Sequence, residues 1–363
     1  MLSCNFKEVV TQKRILFYIR GAHHFHLVYN IAQANPDYHF YFVSNFVKKE
    51  DFISSPLYEL DNCFYVEDLS NLLCKLPMFG LYMTTDCQMT AAHRFSLNLA
   101  RLFAKIGVKV VELEHGLFQL GLDYFDVPCK HNFYNDSLPT NIVADVFLSY
   151  APEPEIKNAV AIGYPPYQNQ NQNYYTGNYT LVLSNLHWET YSQVEKYNFY
   201  QSVVNLAIDN PQQVFIWRRH HGEMVNGACV RMLKNIVNTL CPQHQNLVLE
   251  DAMIDGVSTE DLIAKADNVI STPSTTLLDC EIAQKHTYVY ACDTNQCLID
   301  KMKIKTVFHK DRELKNIFSQ KAQIQTGKLY VYNNKLFRDV VENNYRLPHP
   351  EKLTYLEDIV LYK

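Results

Sequence analysis

Asn268-Val-Ile-Ser-Thr-Pro-Ser-Thr-Thr-Leu-Leu-Asp-Cys-Glu-Ile-Ala-Gln-Lys-His-Thr-Tyr-Val-Tyr290 reads as strand, hydroxyl-rich turn, helix and strand, with almost no spare residue between them. Val269 and Ile270 end a short apolar run, and Pro273 blocks continuation of that strand. Ser274 stands where a helix N-cap belongs, ahead of Leu277, Leu278 and Ile282 at helical spacing. Thr287 to Tyr290 then resumes a β-type composition. In a strand-to-helix turn of this kind the first backbone N–H groups lack a partner within the helix, and the helix dipole is positive there. Hydroxyls and amides together make a seat for a phosphate. The same residues also serve as ordinary helix caps, so the rest of the chain has to decide between the two uses.

With 363 residues the chain is long enough for two domains that each bury a core. A composition of 47% hydrophobic and 20% charged residues is that of a globular protein, and 25 Tyr with 20 Phe predict aromatic-rich packing and stacking surfaces for sugars or bases. The formal net charge of −5 supplies no global field for nucleic acid, so no such partner is expected and any anion must be held locally. The ten cysteines are scattered, without a Cys-x-x-Cys pair or a matched histidine spacing. That argues against a zinc site and a disulfide scaffold, and for reduced cytoplasmic thiols. The first residues, Met1 to Glu8, lack the pattern of a signal peptide, and no apolar run reaches the length of a membrane span. A soluble or peripheral protein is expected.

Lys13 to Arg20 reads as a buried first strand, Gly21 turns the chain, and a helix follows through Leu27, Asn30 and Ile31. This is the opening of a parallel α/β sheet, whose strand-end loop faces the ligand crevice. Gly21, His23, His24 and His26 are therefore candidates for the acceptor side, against the plainer reading of a solvated turn. No carboxylate at ligand spacing accompanies these histidines, so no metal is expected there. Tyr38–Val43 and Gly80–Asp86 read as further strands, and Ala91–Ile106 as a packed surface helix ended by Gly107. The sharpest signal of the first half is Val108-Lys-Val-Val-Glu-Leu-Glu-His-Gly116. A β-branched strand delivers Glu114 and His115 at its carboxyl end, and Gly116 lets the backbone turn at once. An acid and a histidine at the crevice can take a proton from an acceptor hydroxyl; the same pair also fits a plain hydrogen-bonded surface role.

Asp145–Tyr150 and the stretch from Ala159 to Pro166 close a first domain expected over residues 1–166. The polar, low-complexity run that follows is the expected linker, 167–178. A second α/β domain is expected over 179–345: strand Tyr179–Ser184, helix Tyr191–Ile208, strand Gln213–Trp217 and the exit loop Arg218-Arg-His-His-Gly222. Two guanidiniums and two imidazoles side by side call for an anion to neutralise them, and the fork of arginine suits phosphate. Leu247–Leu249 reads as a strand, Ser258-Thr-Glu-Asp261 as a capping box, and Lys328–Tyr332 as a late strand. The tail, 346–363, is expected to pack back on the first domain.

With these positions in hand, the chain resembles bacterial glycosyltransferases of the GT-B fold, especially those related to the CDP-glycerol glycerophosphotransferases and the capsule-type sialyl- and Kdo-transferases. The pieces that carry the resemblance are Glu114-His-Gly116, Arg218-Arg-His220 with His221 where proline is usual, and Ser271 to Asp279. The resemblance implies an α/β protein of two Rossmann-like domains facing across a cleft, with a nucleotide-activated donor on the second and the acceptor on the first. It implies that Arg218, Arg219, His220, Ser271, Thr272, Ser274 and Thr275 hold the donor. Glu114 or His115 would then activate the acceptor hydroxyl beside Gly116. The implied reaction is transfer of a sugar from a CMP-linked or other nucleotide donor to a hydroxyl of a surface glycan or glycolipid, of capsule or lipooligosaccharide type. No Asp-x-Asp motif is present to hold a divalent ion, so neither metal nor cofactor is expected. Two further readings share these parts: a polyol-phosphate transferase with a CDP-activated donor, and a non-catalytic GT-B-like binding protein. The expected place of action is the cytoplasm, with peripheral contact at the inner face of the cytoplasmic membrane.

Overall fold

The computed structural model describes residues 13–22, 24–67, 78–85, 94–116, 144–153, 156–165, 178–186, 191–240, 246–250, 257–321, 323–327 and 329–348. His23, the linker but for Asn178, and the tail from His349 lie outside the described residues.

The first body is built on strands β1 (Lys13–Tyr18), β2 (Tyr38–Val43), β3 (Cys63–Tyr65), β4 (Leu81–Thr84), β5 (Lys109–Leu113), β6 (Val146–Ser149) and β7 (Ala159–Ala161). They form one sheet in the order β3-β2-β1-β4-β5-β6-β7, every pairing parallel. A parallel sheet is covered on both faces, so its strands are apolar throughout rather than alternating. β1 shows this: Ile15, Phe17 and Ile19 belong to one cluster with Phe25, Val28 and Ile31 of helix α1 (His24–Gln33). Leu16 and Tyr18, on the other face, pack with Leu97, Ala100 and Phe103 of helix α3 (Arg94–Lys105), while α2 (Lys49–Ile53) lies between β2 and β3 in the chain.

The second body repeats the plan. Its strands β8 (Tyr179–Ser184), β9 (Val214–Arg219), β10 (Leu247–Glu250), β11 (Asn268–Ser271), β12 (His286–Tyr290) and β13 (Val307–Phe308) are all parallel, in the order β10-β9-β8-β11-β12-β13. The intervening helices are α4 (Gln193–Asp209), α5 (His221–Val225), α6 (Gly227–Leu240), α7 (Thr259–Lys265), α8 (Thr276–Ile282), α9 (Gln296–Met302) and α10 (Asp311–Phe318). Trp217, Tyr200, Phe199 and Tyr290 fill the centre of this core. In both sheets the strand order reverses, between β1 and β4 and between β8 and β11, and ligands of open α/β sheets bind in the crevice at the carboxyl ends beside such a reversal.

Several local expectations shift. β9 runs on through Arg218 and Arg219, which pair with Leu183 and Ser184, so the exit loop starts at His220. Consecutive strand residues point to opposite faces, and the two guanidiniums therefore do not stand side by side. The stretch to Tyr332 forms no strand of its own: Val331 makes a single parallel bridge to Tyr164. A last helix, α11 (Asn334–Asn344), leaves the second body and packs Phe337, Val340 and Val341 against Ile15 and Phe40 of the first. Tyr38 Oη donates to Glu342 at 2.7 Å, and the Arg14 N–H donates to Tyr345 Oη at 3.0 Å.

Candidate functional site

On the first sheet three strand ends converge. His24 opens α1 and is 3% exposed. Its Nδ1 lies 3.0 Å from Thr85 Oγ1, just past β4, and accepts the Arg20 N–H at 3.4 Å. Its ring stands 5.0 Å from that of His115 at the end of β5, inclined by 52°. Glu114 is also 3% exposed, and its Oε2 accepts a 2.6 Å bond from the Tyr150 N–H at the end of β6. That short bond fixes the carboxyl group inward against the sheet, whereas His115 keeps partial exposure. Gly21, also partly exposed, precedes α1 on the same rim.

On the second sheet the hydroxyl turn divides into an inner and an outer part. Ser271 and Thr272 are fully buried. Ser271 Oγ donates to the Thr272 carbonyl at 2.6 Å. Thr272 Oγ1 donates to Asn185 Oδ1 at 2.7 Å and accepts the Asn185 N–H at 3.1 Å, while Asn185 Nδ2 donates to the Pro273 carbonyl. The Thr272 hydroxyl thus braces the turn against the end of β8, and the Ser271 hydroxyl ties the turn to itself. Ser274 and Thr275 are partly exposed. The cap of α8 falls one residue later than the composition predicts, because Thr275 already has helical angles (φ −58°, ψ −29°); its side chain makes no capping bond. The Thr276 N–H goes to Ser274 Oγ at 3.4 Å, and the Leu277 and Leu278 N–H groups go to the Ser274 and Thr275 carbonyls. The amides of residues 276–278 are thus used inside the turn, whose partly exposed side chains carry hydroxyls.

His220 is exposed and caps α5: its Nδ1 accepts the Gly222 N–H at 3.0 Å, and its own N–H donates to the Ser184 carbonyl at 2.7 Å. An Nδ1 that accepts carries no proton, so the neutral ring holds its N–H at Nε2 as a donor. Arg218 Nη1 donates to the Val257 carbonyl at 2.8 Å. Behind this loop Glu223 is completely buried and its Oε1 accepts from Tyr200 Oη at 2.7 Å. Burial raises its carboxyl above the ordinary value, with the Ser184 and Tyr200 hydroxyls and the Arg219 charge opposing.

The two halves meet at this crevice. A Cβ added at Gly116 would lie 3.2 Å from Thr275 Oγ1, so the Glu-His-Gly end abuts the hydroxyl turn. Nearby, Tyr164 Oη donates to Asp279 Oδ1 at 3.0 Å. Burial, reinforced by the Glu260 charge, pushes the Asp279 carboxyl well up; burial likewise holds His26 below its usual value, with Glu260 opposing. Among the described residues no group of three or more His, Cys, Asp or Glu side chains gathers as a metal site would. No helix among them is long and apolar enough to cross a membrane.

No protein-family model matches the sequence, and no curated protein matches it. Solved structures do. MnaA of S. aureus with UDP superposes with a TM-score of 0.60 at 10% identity, over 92% of this chain and 97% of that one. The UDP-GlcNAc 2-epimerase of Neisseria meningitidis bound to UDP-GlcNAc gives 0.58 at 12% identity, over 91% and 100%. That of Methanocaldococcus jannaschii in complex with UDP-GlcNAc and UDP gives 0.59 at 9%, over 91% and 99%. The chain has the GT-B fold.

Within this fold, His24, Glu114, His115 and Gly116 gather on one rim, and His220, Ser274 and Thr275 stand at strand ends of the facing sheet. Ser271 and Thr272 lie buried in the framework behind the second rim, and Arg218 and Arg219, both half-buried, end β9. Thr85, Tyr150, Tyr164 and Asn185 join the site only in the folded structure. Asn185 follows a strand end directly and had a local signal; the two tyrosines had none, since their partners are remote in the chain.

Proposed function

We propose that this protein is a transferase that moves a sugar from a nucleotide-activated donor to a hydroxyl acceptor without a metal ion. The observation that carries the reading is the approach of Gly116 to Thr275, which sets the Glu-His-Gly end of one sheet against the hydroxyl turn of the other. In this reading His115 is the base. It takes the acceptor hydroxyl's proton as the acceptor oxygen bonds to the anomeric carbon and the bond from that carbon to the nucleotide phosphate oxygen breaks. Glu114, tied to the Tyr150 N–H, anchors the strand end that carries His115. The Ser274 and Thr275 hydroxyls and the Nε2–H of His220 face the charge that develops on the leaving phosphate, the service for which other enzymes use a cation. A surface-glycan acceptor and peripheral contact with the inner membrane belong to the same proposal, on the sequence resemblance.

The first test is a thermal-shift series with CMP, CDP and UDP. A ligand that binds only the folded state adds about 2.7 kcal/mol of stability at a hundredfold excess over Kd, so one nucleotide should raise the melting temperature clearly. No shift with any of them at millimolar concentration would sink the reading. Turnover that survives EDTA supports metal independence, and activity lost to EDTA and restored by Mg²⁺ contradicts it. A second reading, epimerisation of a nucleotide sugar, is favoured by the 2-epimerases whose folds superpose over 91% of this chain. UDP-GlcNAc incubated with the protein and no acceptor separates the two: formation of the C2 epimer selects epimerisation, whereas an unchanged donor that is consumed only with acceptor selects transfer.

A further inference from the structure

The segment that follows β7 and the segment that leads into α11 are clasped together. Tyr164 N–H donates to the Tyr330 carbonyl at 2.9 Å, and Asn333 N–H donates to the Ile162 carbonyl at 2.7 Å. Between these bonds Gly163 takes a φ of +84°, and a Cβ there would run into the Val331 carbonyl. From the clasp the Tyr164 side chain enters the core of the second body. It meets the Tyr150 ring edge-on at 5.0 Å, and its hydroxyl donates to Asp279 Oδ1 at 3.0 Å. Both groups are 9% exposed, so each depends on the other for a partner that water does not supply.

These contacts are continuous from one rim of the crevice to the other. Glu114, next to His115, holds the Tyr150 N–H; Tyr150 packs on Tyr164; Tyr164 holds Asp279. Asp279 lies on α8, four residues beyond Thr275, and so reports directly on the hydroxyl turn. We propose that Tyr164 and Asp279 are positioning residues that set the Ser274–Thr275 turn against His115 through the Tyr164–Asp279 hydrogen bond. This rests on the transferase reading for its purpose, since it assigns the pair the task of keeping donor phosphate and base in register.

The test is amide hydrogen exchange on the full chain without nucleotide, for Tyr164→Phe, Asp279→Ala, their double variant and Asp279→Asn. Breaking the bond should raise exchange about tenfold at two places at once, around 113–116 and around 275–279, though they belong to different bodies. Asp279→Asn keeps an acceptor for the phenol and should restore protection at both. The double variant should be no worse than the worse single one, as for two ends of one interaction. Exchange that rises only beside the altered residue, an Asn variant that behaves like Ala, or additive effects would each overturn the proposal. Because no nucleotide is present, this outcome is independent of the thermal-shift series: absent nucleotide binding sinks the transferase reading, and absent two-site coupling sinks this one.

Discussion

At the scale of single residues, Glu114 and His115 are neighbours in the chain with different surroundings. Glu114 is buried and spent on the Tyr150 N–H, while His115 packs on His24 and keeps partial exposure. His115→Ala should therefore lower kcat by a factor of about 10²–10⁴, the usual worth of a general base, with the nucleotide Kd nearly unchanged. Glu114→Gln retains an oxygen for Tyr150 and should cost far less; steady-state kinetics with a binding titration checks both. A second carboxyl makes a pH prediction. Burial raises Glu223 above its ordinary value, so in the window between the unfolded and the raised folded value the native state holds the proton more tightly. Its stabilising contribution is full below about pH 4, the unfolded value of a glutamate, and is lost as pH rises through the folded value. Glu223→Gln should flatten the decline of stability that sets in above about pH 4 and ends at the folded value, read by urea unfolding over a pH series that starts near the unfolded value. Tyr200→Phe removes the donor at 2.7 Å and should cost about 1–3 kcal/mol.

At the scale of elements, the clasp between the bodies depends on Gly163. Its φ of +84° and the adjoining Val331 carbonyl leave no room for a side chain. Gly163→Ala should lower stability by about 1–3 kcal/mol from backbone strain alone, with the carbonyl clash adding to it. Its circular dichroism should stay native while the melting temperature falls. The hydroxyl turn works at the same scale. Thr272 holds it to Asn185 beyond the end of β8, Ser271 bonds the Thr272 carbonyl within it, and Ser274 and Thr275 are partly exposed. Asn185→Ala removes two of the three hydrogen bonds of this brace and keeps the one made by the backbone N–H. It should weaken nucleotide binding although Asn185 lies behind the turn, and a calorimetric titration against the wild type reads this directly.

At the scale of the whole molecule, α11 ties the end of the described chain to its beginning. Phe337 is fully buried among residues of the first core, Lys13 pairs with Glu342, and Arg338 makes a two-pronged contact with Asp37 at 2.7 and 2.8 Å. The ion pairs are at the surface and worth about 0–1 kcal/mol each, so the apolar face decides the docking. Phe337→Ala should cost about 3–5 kcal/mol, and Arg338→Ala far less, by denaturant unfolding of each.

Much of this was legible in the sequence because its causes are local. Tyr38–Val43 and Tyr179–Ser184 are continuous apolar β-type runs and form strands over those residues; Ser258 caps α7 by accepting the Asp261 N–H at 3.0 Å, as the Ser-Thr-Glu-Asp pattern predicts. Strand, turn and helix types follow from backbone sterics, period and capping, which need only near neighbours. Tertiary structure alone decided the rest. It carried β9 through both arginines, turned Ser271 and Thr272 inward, sent α11 to the first sheet, and brought Gly116 to Thr275 and Tyr164 to Asp279. The last three of these join residues more than a hundred positions apart. Their energies come from burial and from satisfying buried polar groups, which no local pattern of residues encodes.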